Sequence, residues 1–233
     1  MNRLKMNYPL VIEFNGIPGS GKSTISDALE EKLKKQGLTV VSYREHFKKY
    51  SHNRKYQLYC AVKHAPQVLR YYFLLRIYIS KIKMDKMMYK YFIASVLDFG
   101  VKLEFLDKTT ADVIILDQGI IQELLSIYHI KEIVTNNSII KIFNYLSEVF
   151  KNLVLVNVEI PIEIACQRVN SRLNGKSRVD NITDFTQQIQ IQQKEYNNLK
   201  TIREANQILK QIVIISESID ISVDKIINSL DMR

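Results

Sequence analysis

A chain of 233 residues with 46% hydrophobic and 24% charged side chains can bury a large core without disulfides or metals, which excludes wholesale disorder and an extended coiled coil. No apolar run reaches the about eighteen residues of a membrane span, and Met1 to Asn7 leads into no signal-peptide pattern, so the expectation is a cytoplasmic chain. Cys60 and Cys166 stand far apart, each without a second cysteine nearby; they read as reduced, packed thiols, which sets redox and zinc chemistry aside. The formal charge of +9 is lopsided. Residues 48–108 carry thirteen Lys or Arg against four Asp or Glu, which accounts for all of the excess, together with twelve of the twenty-two Phe and Tyr.

Residues 9–14 (Pro-Leu-Val-Ile-Glu-Phe) read as a buried strand. Glycine is scarce, seven in the chain, yet three fall at Gly16, Gly19 and Gly21 directly after it. Ile25, Leu29 and Leu33 then recur on one helical stripe between Ser23 and Lys35, and Gly37 supplies the stop. Residues 38–43 form a second strand, and a strand, helix, strand unit of this length implies a right-handed crossover and a parallel pair. About 68 residues follow before the next strand, too many for one crossover helix or a structureless loop. Tyr71, Leu74, Leu75, Tyr78 and Ile82 recur at helical spacing, as do Met88, Phe92, Val96 and Phe99, so this stretch is expected to hold two to four helices. Its aromatics serve a helical subdomain, a stacking surface for a planar substrate, or a nucleic-acid platform.

Three more β-branched runs, 112–117, 153–158 and 211–215, read as buried strands. Asn137 suits the cap of a helix carrying Ile139, Phe143, Leu146 and Phe150 on one face, Pro161 the first turn of a helix running to about Arg172, and Thr183 the opening of one long or two stacked helices over 183–210. The expected fold class is α/β: a single domain over 1–233, with five parallel strands and helices on both sides.

Gly16-Ile17-Pro18-Gly19-Ser20-Gly21-Lys22-Ser23-Thr24 satisfies G-x-x-x-x-G-K-[ST] and sits between a buried strand and an amphipathic helix, where a P-loop belongs. Glycines let successive backbone N–H groups converge on phosphate oxygens, and the helix start adds its positive dipole end. Lys22 reaches toward β- and γ-phosphates in such a loop, and Ser23 offers a hydroxyl to Mg²⁺; Gly16, Gly19, Ser20, Gly21 and Thr24 complete the candidate ATP site. A guanine-reading N-K-x-D is absent, since Lys83-Met84-Asp85 lacks the leading Asn. There is no Leu-Ser-Gly-Gly-Gln-like motif, and the chain is short for a ring ATPase. Small-molecule phosphotransfer is left.

The order of elements resembles the thymidylate kinase and deoxynucleoside kinase branch of the P-loop kinases over most of the chain. Beyond the P-loop, the resemblance rests on Tyr43-Arg44-Glu45 at the end of the second strand and Asp117-Gln118 at the end of the third. It continues through Arg168, Arg172, Lys176 and Arg178 after the fourth strand, and Ile215-Ser216-Glu217-Ser218 after the fifth. It implies a basic helical acceptor-side insert over 44–111 and an arginine-bearing lid over 168–182. Asp117 becomes the Mg²⁺ ligand, directly or through water, and Glu45 the base or a second metal contact. Arg168 and Arg172, four apart on one helical face, stabilise the migrating charge as the lid closes. Arg44, Glu45, Gln118 and Arg178 are the candidate acceptor contacts.

Three departures keep thymidylate specificity from being carried over. Pro18 stands where that loop usually has Asp, Gln118 where Arg follows the Asp, and His46 where proline often follows Glu. Arg44, or Arg54 or Arg70 of the insert, could contact an acceptor phosphate instead. The leading reading is an ATP- and Mg²⁺-dependent kinase acting on a nucleoside or nucleoside monophosphate. Competing with it are a kinase of a sugar, antibiotic or other metabolite, and, from another class, a nucleic-acid-associated ATPase or NTP-binding module drawn by the concentrated positive charge. The partners implied are a small anionic or nucleoside-like acceptor and, as an open option, a second copy of the chain in a homodimer.

Overall fold

The computed structural model describes residues 8–80, 83–117, 119–128, 137–171, 182, 184–215 and 218–230. Five strands, β1 (Leu10–Asn15), β2 (Val40–Ser42), β3 (Val113–Leu116), β4 (Leu153–Glu159) and β5 (Lys210–Ile215), form one sheet in the order β2-β3-β1-β4-β5. Every pairing is parallel, as the β-branched runs imply. Among the described residues ten helices flank it. They are α1 (Lys22–Lys35), α2 (Tyr43–Tyr50), α3 (Arg54–Lys63), α4 (Ala65–Tyr78), α5 (Lys86–Lys108), α6 (Ile120–Tyr128), α7 (Asn137–Val149), α8 (Ile162–Asn170), α9 (Phe185–Ala205) and α10 (Ile219–Ser229).

Alternation along β1 sends its side chains to two cores. Leu10, Ile12 and Phe14 pack with Ile25, Leu29 and Leu33 of α1 and Val223 and Ile226 of α10 on one face. On the other face Val11, Ile114, Leu116 and Leu155 meet the aromatic core of α4, α5 and α7, including Tyr71, Phe99 and Phe143. Helix starts follow short polar side chains. Ser42 accepts from the Arg44 amide at 3.3 Å, Asn53 from Tyr56 at 3.0 Å, and Asp85 from Met87 and Met88 at 2.9 and 2.8 Å.

The insert between β2 and β3 holds four helices, at the upper end of the expected number. Two boundaries differ from expectation. Ser42 caps α2 so early that Tyr43-Arg44-Glu45 is its first turn and not a strand-end turn. Asp184, whose carboxylate accepts from Thr186 at 2.8 Å, opens α9 in place of Thr183, and α9 is one helix. No helix among the described residues is long and apolar enough to cross a membrane.

Candidate active site

In a sheet with this strand order β1 and β3 are neighbours, so the segments leaving their carboxyl ends share one edge. After β1 the chain turns through Gly19 at φ 86° and Gly21 at φ 94°, left-handed values that favour glycine, and Gly21 caps α1. A Cβ on Gly16 would stand 2.6 Å from the Val158 carbonyl oxygen, and one on Gly19 would overlap the Ala165 carbonyl. The turn therefore lies flat on β4 and α8 with its amides at the start of α1. Lys22 folds over it, donating to the carbonyls of Gly16 at 2.6 Å and Ile17 at 3.0 Å. Ser23 and Thr24 are exposed in the first turn of α1, whereas Ser20 is buried with no hydrogen-bond partner for its hydroxyl among the described residues.

A cavity of about 410 Å³ opens beside this turn. Gly19, Ser20, Gly21 and Thr24 line it on one side, the end of β4 and Ile214 of β5 on another, and Arg168 in the last turn of α8 on a third. Arg168 comes close to the turn, its Nη1 3.6 Å from where a Gly21 Cβ would be. The cavity thus joins the glycine turn to the β5–α10 end of the sheet, a shape suited to a nucleotide whose phosphates meet the turn. The predicted residues Gln118, Arg172 and Arg178, with Lys176, lie outside the described residues.

Across the edge, Asp117 follows β3 with its side chain nearly buried. Its Oδ2 accepts from Arg44 Nε at 2.6 Å, while Arg44 Nη1 meets Asp27 Oδ1 at 2.8 Å and Nη2 donates to Ser26 Oγ at 3.2 Å. Partial burial pulls the guanidinium pKa down, but the Asp117 and Asp27 carboxylates outweigh it and the net shift is upward. Arg44 thereby ties α2, α1 and the Asp117 turn together. Glu45 departs from the expectation that it faces the phosphates. Its side chain is 78% exposed, bonded to Lys48 at 2.6 Å one helical turn on, and lines a separate hollow with Asp27, Glu30 and Lys34 at the β2 edge. The reason is the early start of α2, which carries position 45 round to the outer face.

Behind Asp117 lies a buried polar network that the sequence reading missed. Glu13 of β1, fully buried, accepts from the Ile121 amide at 2.7 Å at the start of α6, and a Cβ on Gly119 would fall on its carboxyl group. Burial raises its pKa to about 7, and its Oε2 has no hydrogen-bond partner among the described residues. On the same side Lys102 of α5 bridges Asp98 and Glu123, Tyr43 donates to Asp98 Oδ1 at 2.9 Å, and Ser95 donates to Glu123 Oε2 at 2.8 Å. The two carboxylates hold the Lys102 pKa up against its burial, while burial pushes Glu123 up. A signal for part of this was present. Glu13 is a lone carboxylate inside a buried strand, and Asp98 and Lys102 are four apart on a helix whose neighbours are apolar.

Strand order, crossover helix and glycine turn together define a P-loop α/β fold. No family model and no curated protein matches the chain. Solved structures do. Deoxyadenosine kinase from M. mycoides with bound dATP is 17% identical, with 95% of this chain and 100% of that one covered and a TM-score of 0.53. The same enzyme with the products dCMP and a flexible dCDP is 16% identical, with 95% and 98% covered and a TM-score of 0.50. At these identities the likeness is one of fold.

Proposed function

We propose that the chain is an ATP-dependent phosphotransferase that moves the γ-phosphate to a small acceptor, a nucleoside or nucleoside monophosphate. One arrangement carries this reading: Lys22 and the glycine turn at the start of α1, with Arg168 over them and Asp117 at the end of the adjacent strand. The nucleotides bound in the similar deoxyadenosine kinase structures support it.

Amides at the α1 start bind and orient the phosphates, and the Lys22 ammonium exchanges its two loop carbonyls for phosphate oxygens. The residues fit Mg²⁺: Ser23 supplies an exposed hydroxyl, and Asp117, one oxygen held by Arg44, keeps the other for the ion or its water. When bound, Mg²⁺ neutralises the phosphate charge. Arg168 closes over that charge from α8 as part of a lid over 168–182 that includes Arg172 and Arg178, and excludes water. The acceptor enters from the insert side, 44–111, between α2, α5 and α6. Glu123, the most exposed member of the Lys102 network, offers it a hydrogen-bond partner there, with Arg44 nearer the phosphates and Gln118, outside the described residues, a further proposed contact. The acceptor's proton goes to Asp117, when its free oxygen faces the acceptor instead of the ion, or to Glu45, which stands in solvent beside Lys48 in this structure. Buried, unpaired Cys60 and Cys166 accord with a cytoplasmic enzyme.

The reading is tested by ADP release across nucleosides, nucleoside monophosphates and sugars. Nucleoside-stimulated turnover that disappears in Lys22→Ala is the expected result, and turnover on sugars alone would move the acceptor class. A nucleic-acid role would show as salt-steep binding to RNA or DNA. Against that role, Lys102 is buried between two carboxylates, Lys63 and Lys108 meet Glu104 at 2.5 and 2.7 Å, and Arg70 meets Glu148, so part of the insert's charge is already neutralised.

A further inference from the structure

Glu13 is a carboxylate in the interior of a buried strand. It lies among Leu10, Val11, Ile12 and Phe14 of β1, is itself fully buried, and stands three residues before Gly16. Taking a carboxyl group out of water is unfavourable unless hydrogen bonds replace what it loses. Its partners are 108 and 109 positions away in sequence: Oε1 accepts from the Ile121 amide at 2.7 Å and the Gln122 amide at 3.4 Å, two of the groups that the start of a helix leaves unpaired. Other helices of this chain are capped by the residue just before them, as Ser42, Asn53 and Asp85 cap α2, α3 and α5. Gly119, just before α6, has no side chain with which to do so.

Glu13 also explains that glycine. Among the described residues the glycines with positive φ are Gly16, Gly19, Gly21 and Gly37, so backbone conformation does not require one at position 119. Space does, because a Cβ there would overlap Cγ, Cδ and Oε1 of Glu13. In the sheet Glu13 is in register with Leu116, the last residue of β3. Its main chain therefore adjoins the end of β3 while its side chain holds the start of α6. One residue thus grips both sides of the turn that carries Asp117, whose Oδ2 is fixed in turn by Arg44.

We propose, on the reading of Asp117 as metal ligand or base, that Glu13 is a positioning residue for phosphoryl transfer: it sets where Asp117 stands relative to the glycine turn. Only Phe14 and Asn15 separate Glu13 from Gly16, so the strand that runs into the phosphate-binding turn also anchors the Asp117 turn across the sheet edge. Reacting groups are sensitive to such spacing, and a displacement of about 1 Å can cost about a hundredfold in rate. Glu13 does not dock α6 as a whole. Glu123 does that, with Lys102 and Ser95 as its donors, and Ile120, Ile121 and Leu124 are buried. Loss of the Glu13 carboxyl group therefore frees the turn and leaves the helix in place. An amide keeps the acceptor oxygen, and Oε2 has no hydrogen-bond partner among the described residues for an amide nitrogen to displace, so glutamine serves where alanine does not.

Hydrogen exchange read by mass spectrometry on the full chain, together with steady-state kinetics on the nucleoside that the wild type turns over, tests the proposal. Glu13→Ala is expected to exchange faster over residues 117–124 and at the wild-type rate over α1, and to lose about ten- to a hundredfold in kcat while KM for ATP stays within about threefold. Glu13→Gln is expected to keep the protection, with kcat within about threefold of the wild type. Gly119→Ala, whose Cβ displaces the carboxyl group, is expected to lower kcat by itself and to add little in the Glu13→Ala background, because both changes break one link. Unchanged exchange over 117–124 in Glu13→Ala, faster exchange with an unaltered kcat, or a Glu13→Gln variant as slow as Glu13→Ala overturns it. Should Glu13→Ala not fold, Gly119→Ala set against Glu13→Gln makes the same comparison, and equal kcat in the two overturns it. A wild type without acceptor-stimulated turnover defeats the phosphotransferase reading instead, while the exchange rates still decide whether Glu13 holds the turn.

Discussion

The glycine turn and the helical insert meet at one edge of the sheet and treat charge in opposite ways. At the turn, polar groups line an open cavity: Lys22 donates to the Gly16 and Ile17 carbonyls, Ser20 Oγ has no partner among the described residues, and Arg168 borders the cavity. In the insert, charges close on one another. Lys102 lies between Asp98 and Glu123, and Glu104 is surrounded by Lys63, Lys108 and His64, which bring its pKa down to about 2 against the upward pull of desolvation. Open groups suit a transient anionic ligand, while closed ones hold α3, α5 and α6 in place. The insert's excess charge therefore says less about binding than its sum suggests.

Two substitutions should separate these roles. Lys102→Met removes the only ammonium from a buried three-residue cluster, and breaking such a pair costs about 3–5 kcal/mol. Urea unfolding should register that loss at neutral pH; a change under 1 kcal/mol would mean the cluster is hydrated and open like the turn. Lys22→Ala should do the reverse, leaving the unfolding midpoint nearly unchanged while lowering turnover about a hundred- to a thousandfold, as loss of one charge-stabilising donor does.

Glu13 stands between the two regions and should make stability depend on pH. Its folded-state pKa of about 7 exceeds the ordinary 4.5, because burial penalises the carboxylate. The folded protein thus keeps a proton that the unfolded chain releases, so Glu13's contribution is complete below pH 4.5 and declines as pH rises to about 7. The decline is on the order of 3 kcal/mol. Glu13→Gln, which resembles the protonated form, should flatten the fall in stability between pH 5 and 8 measured by urea titration. An unchanged slope would show that the carboxyl group has found a counter-charge.

How much of this was legible in the sequence follows the range of the interactions. The turn at Gly16 to Thr24 is local: glycine spacing, a preceding β-branched run and a following 3.6-residue stripe determine it, so its residues could be named in advance. The five parallel strands were legible for the same reason. The Glu13–α6 link, whose partners are 108 positions apart in sequence, and Tyr43–Asp98, 55 apart, depend on the strand order, which periodicity does not encode. Position 45 failed on one cap. Read as a strand-end turn, Tyr43-Arg44-Glu45 would aim a carboxylate along the sheet edge, but Ser42 starts a helix there and turns it outward.

That displacement leads to the smallest expected effect. A general base contributes about 10²–10⁴ in rate, and it must stand within hydrogen-bond reach of the proton it takes. Glu45 is exposed and paired at the surface with Lys48, an arrangement worth little to stability, whereas Asp117 is nearly buried and fixed by Arg44 at the end of β3. Asp117→Asn should therefore lose turnover in the range of a lost base or metal ligand, and Glu45→Gln should stay within about twofold of the wild type in both turnover and KM for the acceptor. If Glu45→Gln instead loses a hundredfold with an unchanged melting temperature, the first turn of α2 swings inward on binding. The insert then supplies a reacting group to the edge, and the division between an open turn and a closed insert does not hold.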